Sequence, residues 1–336
     1  MNLRQYLIRR LLLIIPTFLG ITLITFMVIQ LSPGNPAAMK LGMGEQGMVG
    51  EDMNREIIDQ TKKLYGLDKP IPVQYLLWIR RVVTLDFGTS YKDHRPVIEK
   101  IAERLPVTIE LNVISIFLIY LIAIPVGVFS AIKQGTLKDK SVTVALFIAY
   151  SLPNFWVAVL LIMFFGGGDF LDWFPIYGLT SAGMEGASFL ARLGDHVWHL
   201  VLPIFCLTYN GLAALSRYQR AGMLEVIRQD YIRTARAKGL PEKLVIYKHA
   251  MRNSIIPIVT IMGNLLPAML GGSIIIESIF TIPGMGLLGF EAVLSRDYPV
   301  VMAIATISAL LTLVGILLSD LLYVWVDPRI TYEAET

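Results

Sequence analysis

Few residues in this chain have the type and spacing that bond-making chemistry demands. His196 and His199 stand three apart beside Asp195, a pattern that holds a divalent metal only if a further acid joins from elsewhere. Histidines at an interface are otherwise solvated, and no metal site is assigned. Ser115, Ser151 and Ser308 lie in apolar runs, but no Gly-x-Ser-x-Gly frames them, and those two histidines are the only nearby bases. Cys206 is the only cysteine, which excludes an intrachain disulfide and a cysteine-cluster metal site. No phosphate-cradling GxxxxGK[ST] occurs, and Gly166-Gly167-Gly168 lacks the lysine and helix start that would hold phosphate, so the chain is not expected to bind ATP itself. No catalytic residue and no cofactor are assigned.

The elements around these residues explain the scarcity. Hydrophobic residues make up 55% of the 336 and charged ones only 16%, against about a quarter in an ordinary soluble domain. A soluble fold of this length has too little interior for that much apolar surface, so its solvent is largely lipid. Six apolar runs follow: Leu11–Leu31, Ile109–Ile132, Val142–Phe165, Val197–Leu215, Ile255–Ile276 and Val300–Val326. The first measures roughly 31 Å as a helix, enough to cross a bilayer. It is too long for a signal h-region and no small-x-small cleavage site follows it, so it is read as an uncleaved span. The expected fold is an all-α polytopic membrane protein with six transmembrane helices. Five of the six runs contain proline (Pro16, Pro125, Pro153, Pro203, and Pro257 with Pro267), which neighbouring helices and water accommodate in a bundle.

Polar residues inside such runs carry a functional default. Asn112, Asn154, Asn210, Asn264 and Glu277 are read as candidates to line a solute path, with interhelical hydrogen bonding as the competing role. Glu110 and Asp320 also qualify by position, and Asp320 is expected to pair with an arginine of the inner face.

Charge sets the orientation. The N-terminus carries Arg4, Arg9 and Arg10 and no acid, and the segment after the second run has three lysines against one aspartate. Between the fourth and fifth runs nine basic residues oppose three acidic ones. The alternate connections are acidic. Both termini are therefore placed inside, N-in and C-in. The chain divides into an N-terminal segment with the first span (1–31), an extracytoplasmic loop subdomain (32–108) and a bundle (109–330) that includes a cytoplasmic loop (216–254). Within the outer loop, helical patterning is expected over Met53–Leu64 and over Gln74–Leu85, the latter with Tyr75, Trp78 and Val82 on one side.

The cytoplasmic loop is the informative segment. It is too polar to cross a membrane, and Leu224, Ile227, Tyr231 and Ala235 recur at helical spacing. Gly239 supplies a helix stop, Pro241 sits where a first helical residue belongs, and Glu242 favours a new N-terminus. A second short helix carries Leu244, Tyr247 and Met251 on one side. The pattern reads as helix, Gly-Leu-Pro turn, helix: a rigid basic knob. It suits docking to a partner, or lying on anionic lipid.

From Asp230-Tyr231-Ile232-Arg233-Thr234-Ala235-Arg236-Ala237-Lys238-Gly239-Leu240 to His249-Ala250-Met251-Arg252-Asn253, the chain resembles the cytoplasmic loop of binding-protein-dependent ABC importer permeases of the peptide/nickel branch. The general signature places Glu-Ala-Ala before the glycine. Here Arg233, Thr234 and Ala235 stand there, so only Ala235 and Gly239 match. Pro33-Gly34-Asn35-Pro36, Tyr65-Gly66-Leu67-Asp68-Lys69-Pro70, Asp86-Phe87-Gly88-Thr89-Ser90, Arg104-Leu105-Pro106, Glu277-Ser278-Ile279-Phe280 with Pro283-Gly284-Met285-Gly286, and Asp327-Pro328-Arg329 are similar to further motifs of that branch, in order along the chain.

The resemblance implies a first-type permease subunit, not itself an enzyme, in a bacterial or archaeal cytoplasmic (inner) membrane. Its partners would be a second homologous permease, two cytoplasmic ATPase subunits holding ATP and magnesium, an extracytoplasmic solute-binding protein and membrane lipid, with no nucleic acid. It further implies that Tyr231, Arg233, Thr234, Ala235, Lys238, Gly239, Leu240, Pro241, Lys243, Leu244 and Tyr247 form the helix that couples to the ATPase. Peptides, or small solutes such as nickel chelates, would be the cargo. A proton-coupled secondary transporter is the alternative; it would be expected to show inverted repeats, and none is seen.

Overall fold

The computed structural model describes residues 3–31, 69–166, 170–262 and 271–326. Regular structure among these residues is helical, apart from one isolated bridge between Thr89 and Pro96. The motifs at Pro33–Pro36, Tyr65–Asp68 and Asp327–Arg329, the patterning over Met53–Leu64, and Asn264 lie outside the described residues, as do the surroundings of the Asp320 side chain.

Helix α1 covers Leu3–Gln30 and runs on through Pro16. Helix α2, Ile71–Val83, lies against its far end, as the amphipathic pattern anticipates. Phe26 of α1 meets Tyr75 edge-on at 5.6 Å and stacks on Trp78 at 6.0 Å, while Val82 is buried. The Tyr75 hydroxyl lies 2.9 Å from Thr22 Oγ1, and Gln30 Nε2 donates to Gln74 Oε1 at 2.6 Å.

Helix α3, Val97–Ile132, is the first of two very long helices. The sequence reading begins this span at Ile109, because Glu99, Lys100, Glu103 and Arg104 interrupt the apolar pattern. In the fold those charges sit on the first turns of one continuous helix, so residues 97–108 run directly into the apolar run without a loop between. The third run is broken. Helix α4, Leu137–Ser151, and helix α5, Asn154–Phe165, are bent by 97° at Leu152-Pro153. Proline removes the hydrogen bond that would carry the helix on. The Tyr209 hydroxyl donates to the carbonyl of Leu152 at 2.8 Å, satisfying a group that the break exposes.

Helix α6, Phe189–Ile227, is the second long helix, started by Ser188, whose hydroxyl accepts from the Ala191 N–H. It outruns the expected span at both ends and takes Arg217 and Arg220, read from sequence as loop charges, into its own last turns. A basic assembly follows: α7 (Asp230–Ala237), α8 (Glu242–Leu244), a π-helical turn (Val245–Ala250) and α9 (Met251–Ser254). Next come α10 (Ile256–Met262), the short α11 (Ile274–Ile279), α12 (Met285–Leu294) and α13 (Tyr298–Val326), which packs on α1. Among the described residues four helices are long and apolar enough to cross a membrane, or five if the bent α4–α5 pair is one span.

The frame is the seam between α3 and α6, the most extensive contact between described elements. A side chain at Gly127 would place its Cβ 2.6 Å from Gln219 Cβ and from the Ser216 carbonyl oxygen; at Gly211 it would meet Ile119 at 2.6 Å. Water supplies no drive for association inside a bilayer, so close approach of small residues provides the packing. At the end of α3 that bears Val97, Asp297 is buried and clasps the loop before α3. It accepts from the Ser90 hydroxyl and, at 2.9 Å, from the Tyr91 N–H. Lys100 joins the clasp, donating to Asp93 at 2.7 Å and to Ser90 Oγ at 3.1 Å.

Two tests follow from this frame. Gly127→Ala forces α3 and α6 apart and lowers stability by about 1–3 kcal/mol, read as an earlier thermal transition in detergent. The clasp adds a pH dependence. Partial burial raises the Asp93 pKa, but Lys100, Ser90 and the Arg95 N–H more than offset this and bring it from 3.8 to about 2. A carboxylate depressed on folding stabilises above its ordinary pKa, and that contribution fades as pH falls from about 4 through about 2. Asp93 is part-exposed, so the loss is modest. Asp93→Asn removes that slope from the acid limb of thermal unfolding.

Candidate functional site

The basic assembly after α6 owes its shape to one backbone conformation. Gly239 has φ +75°, which L side chains adopt only with strain. It closes α7 in a Schellman arrangement: the Gly239 N–H donates to the Arg236 carbonyl at 2.9 Å and the Leu240 N–H to the Ala235 carbonyl at 3.4 Å. A Cβ at Gly239 would meet nothing within 4 Å, so the demand is for conformation and not for space. Pro241 then precedes the next helix as its N-cap, one position before the place the sequence reading gave it. Arg236 and Glu242 bridge the turn at 2.7 and 3.1 Å, and the guanidinium holds the Glu242 carboxylate below its usual range. Both are largely solvated, so the pair shapes the turn more than it stabilises it.

Packing divides this assembly into two faces. Ile232, Ala235, Val245, Ile246 and Ala250 are buried against Val128 and Ala131 at the end of α3 and Met223 near the end of α6. The outward face carries Tyr231, Leu244 and Tyr247, all exposed, among Arg233, Thr234, Lys238 and Lys243. Tyr231 is fixed by Asn253, whose amide donates to its hydroxyl at 2.7 Å.

Sequence periodicity groups Leu244, Tyr247 and Met251 on one side, but Leu244 and Tyr247 point away from the core. The π turn is the reason: its wider pitch brings Val245, Ile246 and Ala250 inward instead. Leu224 and Ile227 also prove to belong to α6, since the chain turns at Arg228-Gln229 before α7 begins. Of the buried anchors only Ala235 was picked out from the sequence pattern; Ile232, Val245, Ile246 and Ala250 were not, although Arg236 and Glu242, opposite in charge and six apart across the turn, were a legible sign of closure. The knob thus presents exposed aromatic and aliphatic side chains in a basic setting, on a base that is packed into the bundle.

Residues 123–332 match the family described as binding-protein-dependent transport system inner membrane component, and residues 3–112 match its N-terminal companion. The chain belongs to that family. It is 42% identical over 328 residues to an oligopeptide transport system permease protein of Bacillus subtilis, covering 97% of this chain and 99% of the relative. It is 37% identical to a dipeptide transport system permease protein of Escherichia coli K12 (98% and 99% covered) and 35% identical to a peptidoglycan transport system permease protein of Agrobacterium fabrum (98% and 98%). The resemblance to the peptide branch of the importer permeases therefore holds, and the protein is a multi-pass membrane permease component.

In this permease the residues read as path-lining have varied settings. Asn112 on α3, Asn154 at the start of α5 and Asn210 on α6 are each part-buried. Asn154 Oδ1 is enclosed without a partner at the α4–α5 bend. Glu277 differs from the expectation. It is buried inside its own hairpin, where it accepts from the N–H groups of Ser273 (3.1 Å) and Leu287 (2.8 Å) and from the Thr108 hydroxyl (3.3 Å). Thr108 in turn accepts from the Met285 N–H at 2.7 Å. Gly284 lies so close that a Cβ there would stand 2.4 Å from the Glu277 carboxyl carbon. This carboxylate holds backbone together instead of facing an open passage.

His196, weighed as a metal ligand, ties three elements: its Nε2 lies 2.8 Å from Glu110 Oε1 of α3 and its Nδ1 3.0 Å from the Leu179 carbonyl. Among the described residues no group of three or more His, Cys, Asp or Glu side chains could hold a metal.

Gly239→Val is expected to lower local stability by roughly 1–2 kcal/mol and to speed amide exchange across 230–250, leaving the α3–α6 seam protected. Gly239→Asn, which tolerates the left-handed conformation, retains most of the protection. Equal protection in wild type and Val variant would refute this account of the turn.

Proposed function

We propose that the chain is one of two permease subunits of an ATP-driven peptide importer, and that its basic knob carries motion from separate ATPase subunits into the bundle. The observation that supports this best is the division of the knob into a buried face seated on the ends of α3 and α6 and an exposed face of Tyr231, Leu244 and Tyr247. A loop without a partner has no reason to expose those side chains on a scaffold so firmly anchored. The peptide reading is drawn from relatives named for oligopeptide, dipeptide and peptidoglycan transport; nickel chelates remain within the same branch by resemblance.

The proposed topology has six spans with both termini cytoplasmic. The sixth span needed for that count is assigned from sequence to the apolar run Ile255–Ile276. A solute-binding protein delivers cargo to the outer face, and a second homologous permease encloses the path. Two cytoplasmic ATPase subunits, which hold ATP and magnesium, close on binding nucleotide and draw the two knobs together. The bundle then opens outward, and hydrolysis resets it. The basic surface adds a Coulombic component to docking, so the contact weakens as salt rises.

The test is a mild-detergent purification of the tagged protein, with mass spectrometry and an ATPase assay on what accompanies it. A second permease and ATPase chains are expected. Tyr247→Asp is expected to release the ATPase chains by about tenfold or more, since it places an unpaired charge in a contact. A protein that purifies alone yet moves solute in liposomes would overturn the reading.

A further inference from the structure

A cavity of about 630 Å³ lies between α3, α4 and α6, at the end of the bundle that carries the knob. The docking surface does not use it. Gly127 and Ser130 of α3, Phe147 and Tyr150 of α4, and Arg217 and Arg220 of α6 contribute to its wall.

The two arginines differ in one respect. Arg220 is neutralised: its Nε donates to Asp139 Oδ1 at 3.0 Å and its Nη2 to Oδ2 at 2.9 Å, while Ser130 donates to the same carboxylate. Arg217 has no such partner; among the described residues no carboxylate lies within ion-pair distance of it. Its guanidinium carbon stands 4.7 Å from the centre of the Phe147 ring and 5.9 Å from that of Tyr150. Aromatic faces hold a guanidinium in place without neutralising it and leave N–H groups for a further ligand.

The rest of the lining fits an anion with an apolar body. The Ser216 hydroxyl is used internally, donating to the Leu212 carbonyl at 2.7 Å. Thr143, Tyr150 and Tyr218 also line it, and their hydroxyls are not engaged elsewhere among the described residues. Leu146, Phe147 and Ala214 give it apolar surface. A guanidinium with no carboxylate partner among the described residues, beside hydroxyls and an apolar wall, suits an oxyanion that offers it two oxygens, a carboxylate or a phosphate.

We propose that this cavity binds the oxyanion of an amphipathic small molecule, a carboxylate or a phosphate ester attached to an apolar group, with Arg217 as its charged partner. Two sources share that chemistry: the C-terminal carboxylate of a short peptide, which rests on the peptide-importer reading above, and the phosphate of a phospholipid in the adjacent leaflet, which does not.

The experiment uses the full chain with its co-purifying subunits in phosphatidylcholine nanodiscs and follows the thermal midpoint. In one arm phosphatidylglycerol replaces part of the phosphatidylcholine. In the other a short peptide is added with its C-terminus either free or amidated. At least one arm is expected to stabilise the wild type. Arg217→Gln weakens the apparent affinity about tenfold, and Arg217→Lys retains part of it. Phosphatidylglycerol dependence assigns the site to lipid; dependence on the free but not the amidated peptide assigns it to solute. Arg228→Gln, an exposed arginine outside the cavity, sets the scale of nonspecific charge. If Arg217→Gln does not fold, Phe147→Leu, which removes the aromatic face, is expected to weaken the same response. No stabilisation in either arm, or equal losses in the Arg217 and Arg228 variants, overturns the proposal.

Discussion

The close packing of α3 against α6 carries the other features of the molecule. Both helices exceed the thickness of a bilayer core, which about 20 residues span. Their ends therefore project into aqueous or interfacial surroundings, and the functional attachments sit on those ends. At one end Glu110 of α3 and His196 of α6 meet beside the Leu179 carbonyl. At the other, Val128, Ala131 and Met223 form the seat of the knob. Without the small residues at Gly127 and Gly211 the two helices would separate, and the knob would lose one side of its seat.

Buried acids perform a common task in this fold. Asp139, Glu277 and Asp297 are each almost fully buried, and each stands where the chain leaves a helix or enters one. Asp139 receives the Gly135 N–H and Arg220 across the turn from α3 to α4. Glu277 gathers the N–H groups that open α11 and α12, where helix ends favour negative charge. Asp297 takes the loop before α3. Irregular backbone near lipid must find its hydrogen bonds within the protein, and a carboxylate supplies several acceptor sites in one small group. A charge in an apolar run is thus as much a marker of broken backbone as of a passage.

Much of this was legible in the sequence, and the remainder was hidden for identifiable reasons. Apolar runs and punctuation gave the helical class, the Gly-Leu-Pro turn and the contact face of α2, because each depends on a local pattern. The start of α3 was obscured since its first turns are charged, and hydropathy does not distinguish a projecting helix from a loop. The break at Leu152-Pro153 was invisible for the opposite reason: Pro125 and Pro203 sit in continuous helices, so proline alone does not mark a 97° bend. The role of Glu277 depends on Thr108, far away in sequence, and on the N–H groups beyond Gly284. The inward face of the knob was mistaken because the π turn departs from the period on which the reading relied.

That departure bears on how the knob would transmit force under the proposed coupling. A strictly α-helical segment from Glu242 to Ser254 would turn Leu244, Tyr247 and Met251 toward one side, and burying them would turn Val245 and Ile246 outward in place of Leu244 and Tyr247. The π turn instead assigns compact side chains, Val245, Ile246 and Ala250, to the seat and leaves Leu244 and Tyr247 outside. Compact, fully buried contacts move as a unit with what they touch, since packed interiors yield little. Displacement of the outer face would therefore pass to α3 and α6 together and not into a flexible loop. The cavity at Arg217 lies on the same stretch of α6, less than two turns before Met223 at about 3.6 residues per turn. Whatever occupies it would rest on the same helix that supports the knob.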